Sequence, residues 1–188
     1  MNFLDAVKSG FKNYFNFKGA ASRSEFWYWV LFTLLLSLVL GTIEGVIWPA
    51  PMSSGDWMED LAAFGAQPTP FTSLASTLLL IPNLSVTARR FHDAGFSAKW
   101  LFLQLAPIGY GIFAAVGAVA VVMSAGGSDL SYEAIMSLIF LILPILALAA
   151  GVLVVYLIMA LRPSRSFYDG NKYVEPTPLS VGDEGTTA

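Results

Sequence analysis

The sequence predicts an all-α polytopic membrane protein, with four transmembrane helices preceded by an amphipathic interfacial helix, and three observations carry that prediction. The 188-residue chain is 56% hydrophobic and only 12% charged, with a mean hydropathy of +0.66, whereas soluble domains carry about 25% charged residues. Four apolar runs, residues 26–47, 71–88, 100–123 and 135–161, are each 18 residues or longer. At about 1.5 Å rise per residue each reaches across a hydrocarbon core of about 30 Å, the second with nothing to spare. The third observation is charge segregation. Lys8, Lys12, Lys18 and Arg23 precede the first run, Arg89, Arg90 and Lys99 fall between the second and third, and Arg162, Arg165 and Lys172 follow the fourth. The other two connections contain no Lys or Arg, only Asp56, Glu59, Asp60, Asp129 and Glu133. Short basic loops stay on the cytoplasmic side, so both termini and the connection between spans two and three are expected there.

The same pattern sets what the chain is expected to meet. Its formal charge of −3 averages a basic inner face and an acidic outer one. Basic residues beside a membrane orient the chain and attract anionic lipid headgroups, and they give no reason to expect nucleic acid. The expected partners are the bilayer itself, anionic headgroups, and a second copy or another membrane protein. With no cysteine and a single histidine there is no thiolate site, no disulfide framework and no metal-ligand set, and no cofactor is indicated. The first apolar run is too long for a signal-peptide core and is expected to act as an uncleaved anchor.

Residues 1–18 form the first element. In FLDAVKSGFKNYFNF, Phe3, Leu4, Val7, Phe11, Tyr14 and Phe15 share one arc at helical spacing, with Asp5, Lys8, Lys12, Asn13 and Asn16 opposite. That pattern suits a helix lying in the interface or packing on the inner ends of the spans. Residues 19–165 hold the four spans. Gly19 breaks the first helix, and Ser22 with Glu25 fits the S-x-x-E capping box that opens the second. Phe26, Trp27, Tyr28 and Trp29 follow as an aromatic belt at headgroup level.

The first span ends in GTIEG, with small-xxx-small spacing at Gly41 and Gly45 for close helix approach and Glu44 about 27 Å beyond Phe26, near the outer water. The outer connection reads as a Pro-, Gly- and Ser-rich excursion with one short helical turn around residues 57–64. Pro82, Pro107 and Pro144 are each expected to bend a span. Asn83, Ser76 and Thr87 form a sparse polar stripe on the second. Residues 166–188 are a polar cytoplasmic tail, with a turn at Asp169–Gly170–Asn171 and a disordered last dozen.

The densest chemistry lies in ARRFHDAGFSAKW, residues 88–100. If the second span continues to Asp93 and stops at Gly95, Arg89 and Asp93 are one turn apart and can pair, with His92 on the same side as Arg89. A headgroup-gripping or proton-moving site would use these residues. Catalysis is not expected, because one His-Asp neighbour pair carries little specificity and neither a Gly-rich phosphate loop nor a serine elbow accompanies it.

SRSEFWYW at residues 22–29, RRFHDAGFSAKW at 89–100, and GNKY at 170–173 with Pro176 resemble the family of small bacterial inner-membrane proteins known as domain of unknown function 805. The likeness runs over about residues 11–176 and is carried by Gly19, Ser22, Arg23, Glu25, Phe26, Trp27, Arg89, Arg90, His92, Asp93, Gly95, Ser97, Trp100, Gly170, Asn171 and Tyr173. It implies a multi-span helical domain of the bacterial inner membrane and brings no activity with it. The chain departs from the family pattern at Ala20 and Phe96, where basic residues are usual, and at Val174, where glycine is common.

All of these motifs fall on the expected cytoplasmic side. Arg23, Glu25, Arg89, Arg90, His92, Asp93 and Asn171 are therefore expected to form one polar, structural or headgroup-binding cluster. The function expected is that of a non-enzymatic scaffold, regulatory or lipid- or protein-binding module. The alternative is a small oligomeric transporter or channel with its pathway beside the kinked spans.

Overall fold

The computed structural model describes residues 1–49, 53–124, 131–174 and 176. The expected disorder of the last dozen residues lies outside that set. Every regular element is helical: α1 Phe3–Lys12, α2 Arg23–Ile47, α3 Trp57–Gly65, α4 Pro70–Asp93, a 3-10 segment Ala98–Gln104, α5 Leu105–Ser124, α6 Tyr132–Leu161 and a 3-10 turn Phe167–Asp169. Four helical stretches, Arg23–Ile47, Pro70–Asp93, Ala98–Ser124 and Tyr132–Leu161, are long and apolar enough to cross a membrane. The chain divides into two compact units, Met1–Arg90 and Phe91–Ala188, with the boundary inside α4.

In the first unit α1 packs against α2. Its apolar arc does so through edge-to-face pairs of Phe3 with Tyr28 and Phe11 with Trp29, at 6.1 and 5.3 Å between centroids. A Cβ on Gly10 would fall 2.2 Å from the Trp29 ring, so only glycine permits this approach. Of the two settings that the amphipathic pattern allowed, packing on the span is realised, while Leu4 on that helix and Phe15 in the turn after it remain exposed. Trp29 departs from the aromatic-belt expectation: it is 2% exposed, forms a core with Leu79 and Val86, and donates its indole N–H to Asn83 Oδ1 at 2.7 Å. A buried indole needs such an acceptor, and Asn83 supplies it.

Pro82 is buried inside α4. Having no N–H, it leaves the carbonyl of Leu78, four residues earlier, without its helical donor. The hydroxyl of Tyr14 donates to that carbonyl, which is how a proline is tolerated where water is scarce. The Ser85 hydroxyl lies 2.7 Å from the carbonyls of both Asn13 and Asn16, fixing the turn after α1 to α4.

In the second unit α5 and α6 pack closely. Cβ atoms on Gly111 and Gly117 would come within 3.0 Å of Ile145 and Leu141, and Tyr110 donates to the Leu141 carbonyl at 3.2 Å. Pro144 stands inside α6 as expected. The third span differs from its prediction. It starts as a 3-10 segment, and Pro107 occupies the third position of α5. There its missing N–H is one of the four that lack an intrahelical partner anyway, and its ring disfavours an α-helical turn just upstream, so it marks the start of a helix instead of bending one.

Candidate functional site

The last turns of α4, which lead into the stretch read as the turn between spans two and three, are its most buried part. Ser85, Val86, Ala88, Arg90 and Phe91 are 0% exposed, Arg89 4% and Asp93 8%. Topology alone explains cations that reach water. It does not explain arginines inside the protein, which need acceptors.

In the first unit Arg89 finds its acceptor on α2. Its Nη1 donates to Glu25 Oε1 at 2.8 Å, with both side chains less than a tenth exposed. Ser9 of α1 donates its hydroxyl to the same oxygen, also at 2.8 Å, and Ala21 donates its N–H to the Arg89 carbonyl at 3.1 Å. One carboxylate thus joins three helices, each contributing a side chain. The expected Arg89–Asp93 pair is replaced by this longer-range one. The capping box is half realised for the same reason: Ser22 Oγ accepts the Glu25 N–H at 3.2 Å, but the Glu25 carboxylate points to Arg89 and Ser9. Arg23, first residue of α2, is exposed and has no ion-pair partner among the described residues.

In the second unit the end of α4 is closed by a Schellman turn around Gly95, whose φ is +85°. The N–H of Phe96 donates to the Phe91 carbonyl at 2.8 Å and that of Gly95 to the His92 carbonyl at 3.0 Å. Here the expected stop at Gly95 is met. The segment after α6 then covers the remaining carbonyls. Arg165 donates its N–H to the Asp93 carbonyl at 2.9 Å. The Asn171 amide reaches the carbonyls of His92 at 2.8 Å and Arg165 at 3.0 Å. Ser164 donates to the Asp93 carboxylate. The His92 ring stacks on Tyr173, 4.5 Å between centroids and 12° between planes, with Lys172 over the other ring at 5.4 Å from the Tyr173 centroid. At Phe96, where the resemblance leads one to expect a cation, Arg162 lies 5.1 Å from the ring centroid.

Of the seven expected site residues, Glu25 and Arg89 meet in the first unit, and His92, Asp93 and Asn171 meet in the second. Arg90 is buried on α4 between those groups in sequence, and Arg23 stands apart at the surface. Ser9, Ser85 and Ser164 take part without having stood out, because a lone hydroxyl carries no local pattern that marks it; in the sequence Tyr14 shows only as part of the apolar arc and Tyr173 only as part of the family resemblance. Asp169 anchors the 3-10 turn that leads into Asn171. Its carboxylate accepts from the Ser166 hydroxyl at 2.7 Å and the Ser166 N–H at 3.0 Å, and these bonds, with help from Arg165, hold its carboxyl below the usual value. Among the described residues no group of three or more metal-binding side chains occurs.

The fold and this end of α4 define a class: a helical, multi-span membrane domain whose motifs at the end of α4 are buried and hydrogen-bonded. The model of the family described as protein of unknown function (DUF805) matches residues 14–173, and the chain belongs to that family. It is also similar to the inner membrane protein YhaH of Escherichia coli strain K12 and of E. coli O157:H7, 30% identical to each over 97 residues, which is 51% of this chain and 69% of the relative. No solved structure matches it significantly. The chain is a multi-pass integral protein of the inner membrane.

Proposed function

We propose that this protein is a non-enzymatic binding module: its motif residues lock the inner ends of the helices, and exposed cations around them hold anionic lipid headgroups or an acidic segment of a membrane partner, with both termini in the cytoplasm. The observation that carries this reading is the commitment of Glu25. Glu25, one of the two acids expected beside the arginines, accepts from Ser9 and Arg89 and sits 6% exposed, an arrangement suited to holding helices and ill suited to taking a proton from a substrate. Arg23, Lys99, Arg162, Arg165 and Lys172 are exposed, and each cation near an anionic surface is worth about 1 kcal/mol.

The transport alternative draws less support, since Asn83 already accepts from Trp29 and Glu44 accepts from Phe71 and Thr72. Extraction in native lipid, with identification of what travels with the protein, tests the proposal. Anionic lipid or one membrane protein should be enriched, and Arg23→Glu with Lys99→Glu should lose it while folding is kept. Flux into vesicles that Asn83→Ala abolishes would overturn the reading in favour of transport.

A further inference from the structure

The other end of α2 holds a cavity of about 460 Å³. On α2 its wall is Ser37, Gly41 and Gly45, a four-residue repeat that puts small side chains on one stripe, with Glu44 beside it; Gln67 and Thr72 face them. Glycines at this spacing led us to expect a packed neighbouring helix. Instead, a Cβ on Gly41 or Gly45 would meet nothing within 4 Å among the described residues, so the stripe is the floor of an open groove.

Two polar groups give the groove a chemical identity. Glu44 is 3% exposed; its Oε1 accepts the N–H groups of Phe71 and Thr72 at 2.5 and 2.9 Å, capping α4 from another helix, while Oε2 accepts, among the described residues, only the Thr72 hydroxyl, at 2.6 Å. The side-chain nitrogen of Gln67 is buried with no acceptor among the described residues. An oxygen with acceptor capacity left and a donor with no acceptor therefore line one cavity. Moreover, neither outer connection contains a lysine or arginine, so a cation that complements Glu44 must come from a ligand.

We infer that this cavity binds the head of an amphiphile carrying a primary ammonium and, a few bonds away, a phosphate or ester oxygen. The ammonium donates to Glu44 Oε2, the oxygen accepts from Gln67, and the aliphatic part lies along the Gly41–Gly45 floor. A phosphatidylethanolamine headgroup has this chemistry. A choline headgroup lacks the N–H donors, and a glycerol headgroup lacks the cation. The site stands independently of the inner-face proposal, since about 29 Å of helix separates Glu44 from Glu25.

Native mass spectrometry of the purified full chain, exposed to an equimolar mixture of dioleoyl phosphatidylethanolamine, phosphatidylcholine and phosphatidylglycerol, tests it. The ethanolamine lipid should be retained about tenfold over the choline lipid, the worth of one charge-assisted hydrogen bond. Gly41→Leu, which fills the floor, and Gln67→Leu, which removes the donor, should each abolish that preference with helical content and melting temperature unchanged. Glu44→Gln is the less informative variant because the carboxylate also caps α4. Displacement by O-phosphoethanolamine would assign the site to the soluble headgroup, and selectivity that survives it would assign the site to the lipid. Equal retention of the ethanolamine and choline lipids, or a preference that persists in Gly41→Leu and Gln67→Leu, would overturn the inference. Loss of phosphatidylglycerol binding on charge reversal at Arg23 and Lys99 would bear only on the inner face.

Discussion

Glu25 and Arg89 give the sharpest stability prediction. Their charges lie 2.8 Å apart, with side chains 8% and 5% exposed. At an effective dielectric constant of about 20 the gross attraction is about 6 kcal/mol, and desolvation of two ions consumes much of it. Removing one partner therefore costs more than the net worth of the pair, because the other charge is left buried: about 3–5 kcal/mol for Glu25→Ala or Arg89→Ala. Arg89 is the worse orphan, since its Nε and Nη2 already have no hydrogen-bond partner among the described residues. Replacing both by apolar residues of similar volume, Glu25→Leu with Arg89→Met, should cost far less than the sum of Glu25→Leu and Arg89→Met made singly. The coupling measured in a double-mutant cycle should reach about 2–3 kcal/mol. Unfolding in mixed micelles, followed by helical circular dichroism against denaturing detergent, gives the four free energies. Single variants within about 1 kcal/mol of wild type that add without coupling would mean the pair behaves as a surface ion pair, and the locking role would be refuted.

Three other contacts can be checked in the same assay or by exchange. Tyr14→Phe removes the donor to the Leu78 carbonyl and should cost about 1–3 kcal/mol; in a Pro82→Ala background, where residue 82 regains its N–H, the cost should shrink, and an unchanged cost would sink the compensation argument. Gly95→Ala forces alanine to φ +85° with Arg165 Cδ 3.2 Å from its Cβ. A loss of about 1–2 kcal/mol is expected, read as faster amide exchange at the end of α4. Asp169 has its folded carboxyl below the ordinary value of 3.8, so its contribution is present above that value and is lost as pH falls through the lower folded one. The Ser166 and Asp169 amides should therefore exchange faster only in acid, and Asp169→Asn should flatten the dependence. Unaltered pH dependence in that variant would show that another group is responsible.

What the sequence disclosed follows from the range of the interactions. Apolar runs and charge segregation are local and periodic, so the four spans could be read, as could Gly95 as a helix stop, because a left-handed residue after a charged final turn is a local necessity. Long-range choice was not legible. Glu25 has a good local use in a capping box, yet meets Arg89 64 residues away. Arg89 has a local partner in Asp93, yet leaves it. Tyr14 looked like one more interfacial aromatic, and only its bond from the turn after α1 to the Leu78 carbonyl shows that it serves Pro82. Conversely, Gly41 and Gly45 matched a helix-packing pattern, yet no described atom lies within 4 Å of a Cβ placed on either, since spacing reports which residues share a face and not what covers it.

The functional reading depends on the motif-bearing end of α4 facing the cytoplasm. Because the chain has no cysteine, single substitutions report their side cleanly. Ser97→Cys, in the connection after α4, and Ser54→Cys, before α3, should be probed in spheroplasts with a membrane-impermeant maleimide. Ser54→Cys is expected to label in intact spheroplasts and Ser97→Cys only after permeabilisation; labelling of Ser97→Cys in intact spheroplasts would invert the topology and contradict the account.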